Sequence, residues 1–371
     1  MIKNFKTILK KNYKFLVSKL FILFYGSISK KVDKSDFNLK IQEIKIEDNL
    51  KYSVYFSSKS RLYTDRIHNT AIIINNKIVE GASFQLKNNK NKNVEENVVF
   101  SKGTPNIKKN IKGVVMSTLT GGGGNSNYWH WMFDVLPRLF IIQKLIELDE
   151  IDFFLFPDLK EKFQNQTLDL LNIPKHKRLS SKSYKHFSAD QIIATDHPYN
   201  LLNDPKKDSL NIPIWLIESL KNNFKVNQSS RHINLPKRIY IDRSDSFSSH
   251  GGMRSIINEE EVRDFLKKKN FEFLTLSKYD FIDQVRLFNN AECVIGLHGA
   301  GFANTIFCRP GTRILELRSE DAGIIIKNLS KKNKLTYECI HQKPKTIVHL
   351  QLGDIEIPIN ILKDKLKQFN L

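Results

Sequence analysis

From residue 237 onward, short apolar runs rich in Ile, Val and Leu alternate with segments of helical period. Strands are predicted at 238–241, 271–274, 293–295, 313–317 and 337–340, with helices at 259–269, 281–289, after Gly301 and at 323–329. Strand–helix repeats of this length predict a parallel sheet covered on both faces, a Rossmann-like domain whose ligands bind beyond the carboxyl ends of the strands. Residues 35–118 have a different texture. They read as short strands, among them 71–74, 97–100 and 113–116, separated by polar Asn/Lys-rich turns. A strongly apolar stretch at 128–148 follows, then a strand at 151–156, a helix at 159–171 and a strand at 191–194, so this part closes in β/α alternation. Pro205, Pro213 and Pro236 surround one helical stretch and mark a linker. The pattern therefore predicts an N-terminal segment at 1–34, an α/β domain at 35–200, a linker at 201–236 and a second α/β domain at 237–371.

The N-terminal segment is basic at 10–14 and apolar at 15–25, with Lys19 interrupting the run. It is shorter than the roughly 20 apolar residues a spanning helix needs. A signal-peptide core, a basic-apolar helix lying on an anionic bilayer, and a plain docking helix all fit it. A chain of 371 residues exceeds a comfortable single core, which agrees with two domains. Its 40% hydrophobic and 26% charged residues are those of a globular protein. With 59 Lys+Arg against 39 Asp+Glu the net charge is +20, which attracts anions: nucleic acid, an acidic membrane face or phosphorylated substrates. Lys-rich stretches such as 267–269 also read as ordinary solvated helix faces. The three cysteines form no Cys-x-x-Cys pair and no zinc-ligand spacing, so a reducing compartment and no structural metal are expected.

Three constellations can carry chemistry. In Tyr128-Trp129-His130-Trp131-Met132-Phe133-Asp134-Val135-Leu136-Pro137-Arg138-Leu139, a helix places His130 and Asp134 on one face. The imidazole can be a general base oriented by the carboxylate, the carboxylate can be the base, or the two can form a mutually satisfied structural pair. Pro137 should break or kink this helix just before Arg138. The glycines at 121–124 ahead of it would let backbone N–H groups approach an anion, although they lack P-loop and dinucleotide spacing. In the second constellation, Arg243 leaves the end of the predicted strand 238–241 and Arg254 follows in the loop. Their guanidinium groups suit diphosphate oxygens; ion pairs with Asp242 or Asp245 are the alternative. The third is Gly296-Leu297-His298-Gly299-Ala300-Gly301-Phe302-Ala303-Asn304, a strand feeding through glycines into a helix. Gly299 and Gly301 allow close backbone approach, and His298 sits at the turn. Glu316, near the end of the next strand, can accept ribose hydroxyls or pair with Arg313 or Arg318.

Taken together, the 128–139 motif, Arg-Ile-Tyr-Ile-Asp-Arg at 238–243 with Arg254 and Asn258-Glu259, the 296–304 turn and Ile-Leu-Glu-Leu at 314–317 resemble glycosyltransferase family 61 over roughly 110–345. The resemblance implies two Rossmann-like domains in a GT-B-like architecture and inverting transfer from a nucleotide sugar to a glycan or lipid-linked glycan. In bacteria it often implies capsule or other surface-polysaccharide assembly. It casts 35–200 as the acceptor side and 237–371 as the nucleotide-sugar-binding domain. Asp134 or His130 would be catalytic, with Arg138, Arg243, Arg254, His298, Gly299, Gly301, Asn304 and Glu316 on the donor. The eukaryotic members carry a membrane anchor, so the short N-terminal apolar run favours a bacterial cytoplasmic relative, peripheral at the inner face of the membrane. No Asp-x-Asp occurs, and metal-independent transfer with cationic side chains on the diphosphate is expected. An esterase reading of the His298 turn lacks a Gly-x-Ser-x-Gly elbow. A non-catalytic nucleic-acid- or membrane-binding protein is the rival that the net charge suggests, but the basic residues are spread along the chain, so no nucleic-acid partner is expected.

Overall fold

The computed structural model describes the chain except for residues 1, 48–49, 67, 88–89, 92–93, 120–125, 200–208, 226–234, 245–253 and 346–352. The glycine loop at 121–124, Asp245 and residues 201–208 and 226–234 of the expected linker lie outside the described residues. The chain forms two compact units, Met1–Ser209 and Leu210–Leu371.

The first unit is built on one mixed sheet. Its long central strand, Leu50–Thr64, pairs antiparallel with Leu39–Glu47, Asn69–Ile74 and His186–Thr195. Beyond His186–Thr195 the sheet turns parallel, through Val114–Ser117 and Phe153–Phe156 to Arg178–Ser180. Numbered along the chain, those parallel strands lie in the order 3-2-1-4. Leu62, Ile72, Val115, Leu155, Phe187 and Ile192 fill the core between the sheet and its covering segments. The unit is thus α/β with a mixed sheet, where a second Rossmann-like domain was expected; the antiparallel half supplies the short polar-turn strands seen in the sequence. The strand expected at 97–100 is instead the start of the helix Val98–Lys102. Asn97 caps its N-terminus by accepting from the Val99 N–H, and Gly103 ends it at φ 59°, so capping chemistry overrides the β preference of two adjacent valines.

The second unit is an all-parallel five-stranded sheet. Across it lie Glu272–Thr275, Arg238–Asp242, Cys293–Leu297, Arg313–Ser319 and Thr336–Gln342, a chain order of 2-1-3-4-5. Cys293–Leu297 is buried at every position, as a central strand covered on both faces must be. Helices Glu259–Lys267, Phe281–Asn290, Ile325–Lys332 and Ile359–Gln368 belong to this unit. The helix expected after Gly301 is instead a tighter 3-10 segment, Ala300–Phe307. Thr305 donates its hydroxyl to the Phe302 carbonyl, and the Asn333 amide donates to the Thr305 and Ile306 carbonyls at 2.8 and 2.9 Å, taking acceptors a longer helix would have used.

Asn333 is only 6% exposed, so removing its amide takes the donor from the Ile306 carbonyl inside the fold, while the Thr305 carbonyl keeps the Cys308 N–H at 3.1 Å. Asn333→Ala is expected to destabilise the protein by about 2 kcal/mol, read as a lower urea midpoint at unchanged slope. A loss below about 0.5 kcal/mol would show that water replaces the amide.

Candidate functional site

In the first unit, the site grows from a helix that must accommodate a proline. The Asn127 side chain accepts from the Trp129 N–H at 2.9 Å and starts the helix at Tyr128. Trp131 anchors it: its indole N–H donates to Thr167 at 2.9 Å, and its ring packs on Phe156 and Phe163. Pro137 has no N–H to offer the preceding turn, and the chain responds by widening into a π-helical turn over Trp131–Val135. The Leu136 N–H reaches back to the Trp131 carbonyl, and the α-helix resumes as Leu136–Ile142 without a break. The expected kink is thus replaced by a π turn, and Asp134 lies within it.

His130 Nδ1 donates to Asp134 Oδ2 at 2.7 Å. Asp134 is 2% exposed, whereas the His130 ring is about one-third exposed and keeps Nε2 as its second nitrogen. Burial by itself would lower the His130 pKa, but the charge of Asp134 and the hydrogen bond to it leave it raised above 6.5. Burial would likewise raise Asp134; the His130 charge and hydrogen bond, the His197 ring and the Tyr199 hydroxyl hold it below 3.8. His197 lies behind the pair, its Nε2 4.0 Å from Asp134 Oδ2, and burial pushes its pKa down to about 3, so it is neutral. Arg138 donates to the Thr195 carbonyl at 2.6 Å; burial lowers it to about 10 against the opposing charges of Asp134 and Asp196, and it remains a cation. The helix follows strand Val114–Ser117, and His197 follows strand His186–Thr195. These adjacent parallel strands are where the chain order reverses, the position at which open α/β sheets bind ligands.

The second unit repeats this placement. Its order reverses between Arg238–Asp242 and Cys293–Leu297, and Arg243 and His298 follow directly from those strands. Arg243 and Arg254 both donate to the His298 carbonyl, Arg254 at 2.7 Å. Burial, helped by the like charge of Arg243 and opposed by Glu316, lowers the Arg254 pKa to about 10. Asp242 pairs with Arg263 at 3.1 Å and caps the Ser244 N–H. His298 Nδ1 donates to Glu316 Oε1, and the Tyr337 hydroxyl donates to Oε2. A Cβ on Gly299 would fall 2.2 Å from Arg243 Nη1, so this glycine makes room for the guanidinium.

Several expected site residues are repositioned. Glu316 is fully buried and holds His298 and Tyr337, so it offers no oxygen to a ribose and pairs with neither Arg313 nor Arg318. Asn304 is also fully buried, donating to Gln284 at 2.9 Å, and Gly301 packs its bare Cα towards Leu276 and Ile241. Arg138 is 4% exposed and belongs to the first unit, whereas Arg243 and Arg254 belong to the second. His197 and Tyr337 escaped the sequence reading. Asp196-His197-Pro198 directly after a predicted strand was the available signal for the first; nothing along the chain links Tyr337 to Glu316.

The family model described as Glycosyltransferase 61 matches residues 128–315, from the first residue of the His130 helix to the residue before Glu316. The chain belongs to glycosyltransferase family 61. No curated protein matches it. All of the histidines and arginines that converge at the two strand-order reversals, His130, Arg138, His197, Arg243, Arg254 and His298, fall within the matched span of this glycosyltransferase.

The His130–Asp134 pair ties stability to pH. The depressed Asp134 contributes above the unfolded value of 3.8 and loses that contribution as pH falls through its folded pKa. The raised His130 contributes below 6.5 and loses it as pH rises through its folded pKa. Asp134→Asn should therefore cost most stability between about pH 4 and 6.5 and distinctly less at about pH 9. Urea unfolding of both proteins at those pH values tests this; an equal penalty throughout would mean that the pair is not ionised.

Proposed function

We propose that this family-61 glycosyltransferase is an inverting enzyme that moves a sugar from a nucleotide-sugar donor to a surface-glycan acceptor, such as a capsular or lipid-linked oligosaccharide. The convergence of Arg243 and Arg254 on one carbonyl at the sheet's strand-order reversal carries this reading. Two like charges are costly side by side, and an anion that both can bind relieves the cost. A donor diphosphate has the charge and the oxygen geometry for it. The second unit then serves the donor and the first the acceptor, a GT-B-like division of labour.

In the proposed step, His130 Nε2 takes the acceptor hydroxyl proton as the oxygen forms its bond to the anomeric carbon. The bond to the diphosphate breaks with its electron pair passing to the leaving oxygen, and the guanidinium groups neutralise that charge. Asp134 is the positioning residue: it accepts from Nδ1, so the neutral ring keeps Nε2 as its acceptor, and the exposure of the ring favours His130 over the buried carboxylate as base. Arg243 and Arg254 supply positive charge where a divalent cation would otherwise bridge the phosphates, so the proposed transfer is metal-independent.

Calorimetric titration with nucleoside diphosphates and nucleotide sugars tests the donor site. One nucleotide should bind saturably, and Arg243→Ala or Arg254→Ala should weaken it about 10- to 100-fold. His130→Ala should leave that affinity intact while lowering turnover by about 10²- to 10⁴-fold. Activity of the native protein should rise with pH through the raised His130 pKa, since only the neutral ring accepts a proton. Absence of binding by every nucleotide would overturn the donor assignment; unchanged turnover in His130→Ala would overturn the base.

A further inference from the structure

The N-terminal helix Ile2–Tyr25 is fastened firmly at its C-terminal end. Arg61 donates to the Tyr25 carbonyl at 3.0 Å, and also to Asn76 and Thr104 at 2.8 Å each. The Tyr25 hydroxyl accepts from the Lys108 N–H at 3.0 Å, and its ring meets His186 edge-on. Gly26 ends the helix at φ 79°, its N–H returning to the Ile22 carbonyl. Ile22 lies over Gly103, where an added Cβ would fall 2.6 Å from the side chain, and Phe21 stacks on Tyr25. The last turn thus fixes the direction of the whole helix.

A different face of the same helix is apolar and uncovered. Tyr13, Leu16, Leu20, Leu23 and Phe24 are 69%, 66%, 51%, 83% and 71% exposed. They recur at i, i+3, i+7, i+10 and i+11, a single stripe about 17 Å long. A folded protein seldom leaves such a stripe in water without use. The helix sequence contains six lysines and no Asp or Glu, and the described Lys14 and Lys19 are exposed. Docking two copies through this face would bring like charges together. An anionic bilayer surface meets both features at once, accepting the apolar stripe among its acyl chains and the lysines among its headgroups. No described helix is long and apolar enough to cross a membrane, so the helix would lie in the interface.

We infer that the stripe Tyr13, Leu16, Leu20, Leu23 and Phe24 docks the protein on an anionic membrane surface, holding the first unit in a fixed orientation to the bilayer. The inference is independent of the donor and base assignments, because none of their residues lies on this helix. Co-sedimentation of the full chain with vesicles of phosphatidylcholine, with and without phosphatidylglycerol, tests it. Binding is expected only where phosphatidylglycerol is present and should fall as salt rises. The triple variant Leu16→Ser/Leu20→Ser/Leu23→Ser should lose about tenfold or more in vesicle partitioning. Its unfolding midpoint and nucleotide binding should be unchanged, since those side chains face solvent. Failure of the native protein to sediment with anionic vesicles, or equal binding by the triple variant, would overturn the inference. So would a native dimer that the triple variant converts to monomer, because the stripe would then be a contact between copies.

Discussion

Burying a carboxylate costs several kcal/mol unless charge and hydrogen bonds surround it, and both sites of this protein are organised around that cost. Asp134 is 2% exposed and Glu316 fully buried, and each is held by a histidine. In the first unit the compensation comes from His130, His197 and Tyr199; in the second it comes from His298 and Tyr337. In both cases the carboxylate fixes which ring nitrogen carries the proton, because it accepts at Nδ1 and leaves Nε2 for other partners.

The sheet topology explains why these pairs lie where ligands can reach them. In each unit two adjacent parallel strands run to chain segments that depart in opposite directions, and side chains from the segments that follow those strands converge. His130 and His197 meet this way in the first unit, as do Arg243 and His298 in the second. Local backbone chemistry completes the placement. The π turn at Trp131–Val135 absorbs the missing N–H of Pro137 and contains Asp134, which bonds to His130, while Gly299 leaves room for Arg243.

Much of this was legible in residue order alone. The β/α alternation after residue 237 foretold the parallel sheet, because buried parallel strands must be continuous apolar runs. The polar residues embedded in the apolar motifs, His130, Asp134, Arg243, Arg254 and His298, were conspicuous because burial or near-burial of such groups needs a reason. The strand at 97–100 was misread because two valines outweighed the Asn and Gly caps on either side, and the segment after Gly301 because side-chain competition for its carbonyls is invisible in hydrophobic period.

The sequence by itself determined the family, the two-part organisation and the identity of the polar residues gathered near the strand ends, since these follow from pattern and local spacing. Only the tertiary structure decided what each residue touches. Glu316 turned inward to His298 and Tyr337, Asn304 joined Gln284 in the core, and Arg138 pointed to Thr195, because the packing together of segments distant in the chain set which partner each side chain met. His197 came to Asp134 across sixty-three positions for the same reason. Spacing of three or four residues can be read along a chain; contacts made by folding one strand against another cannot.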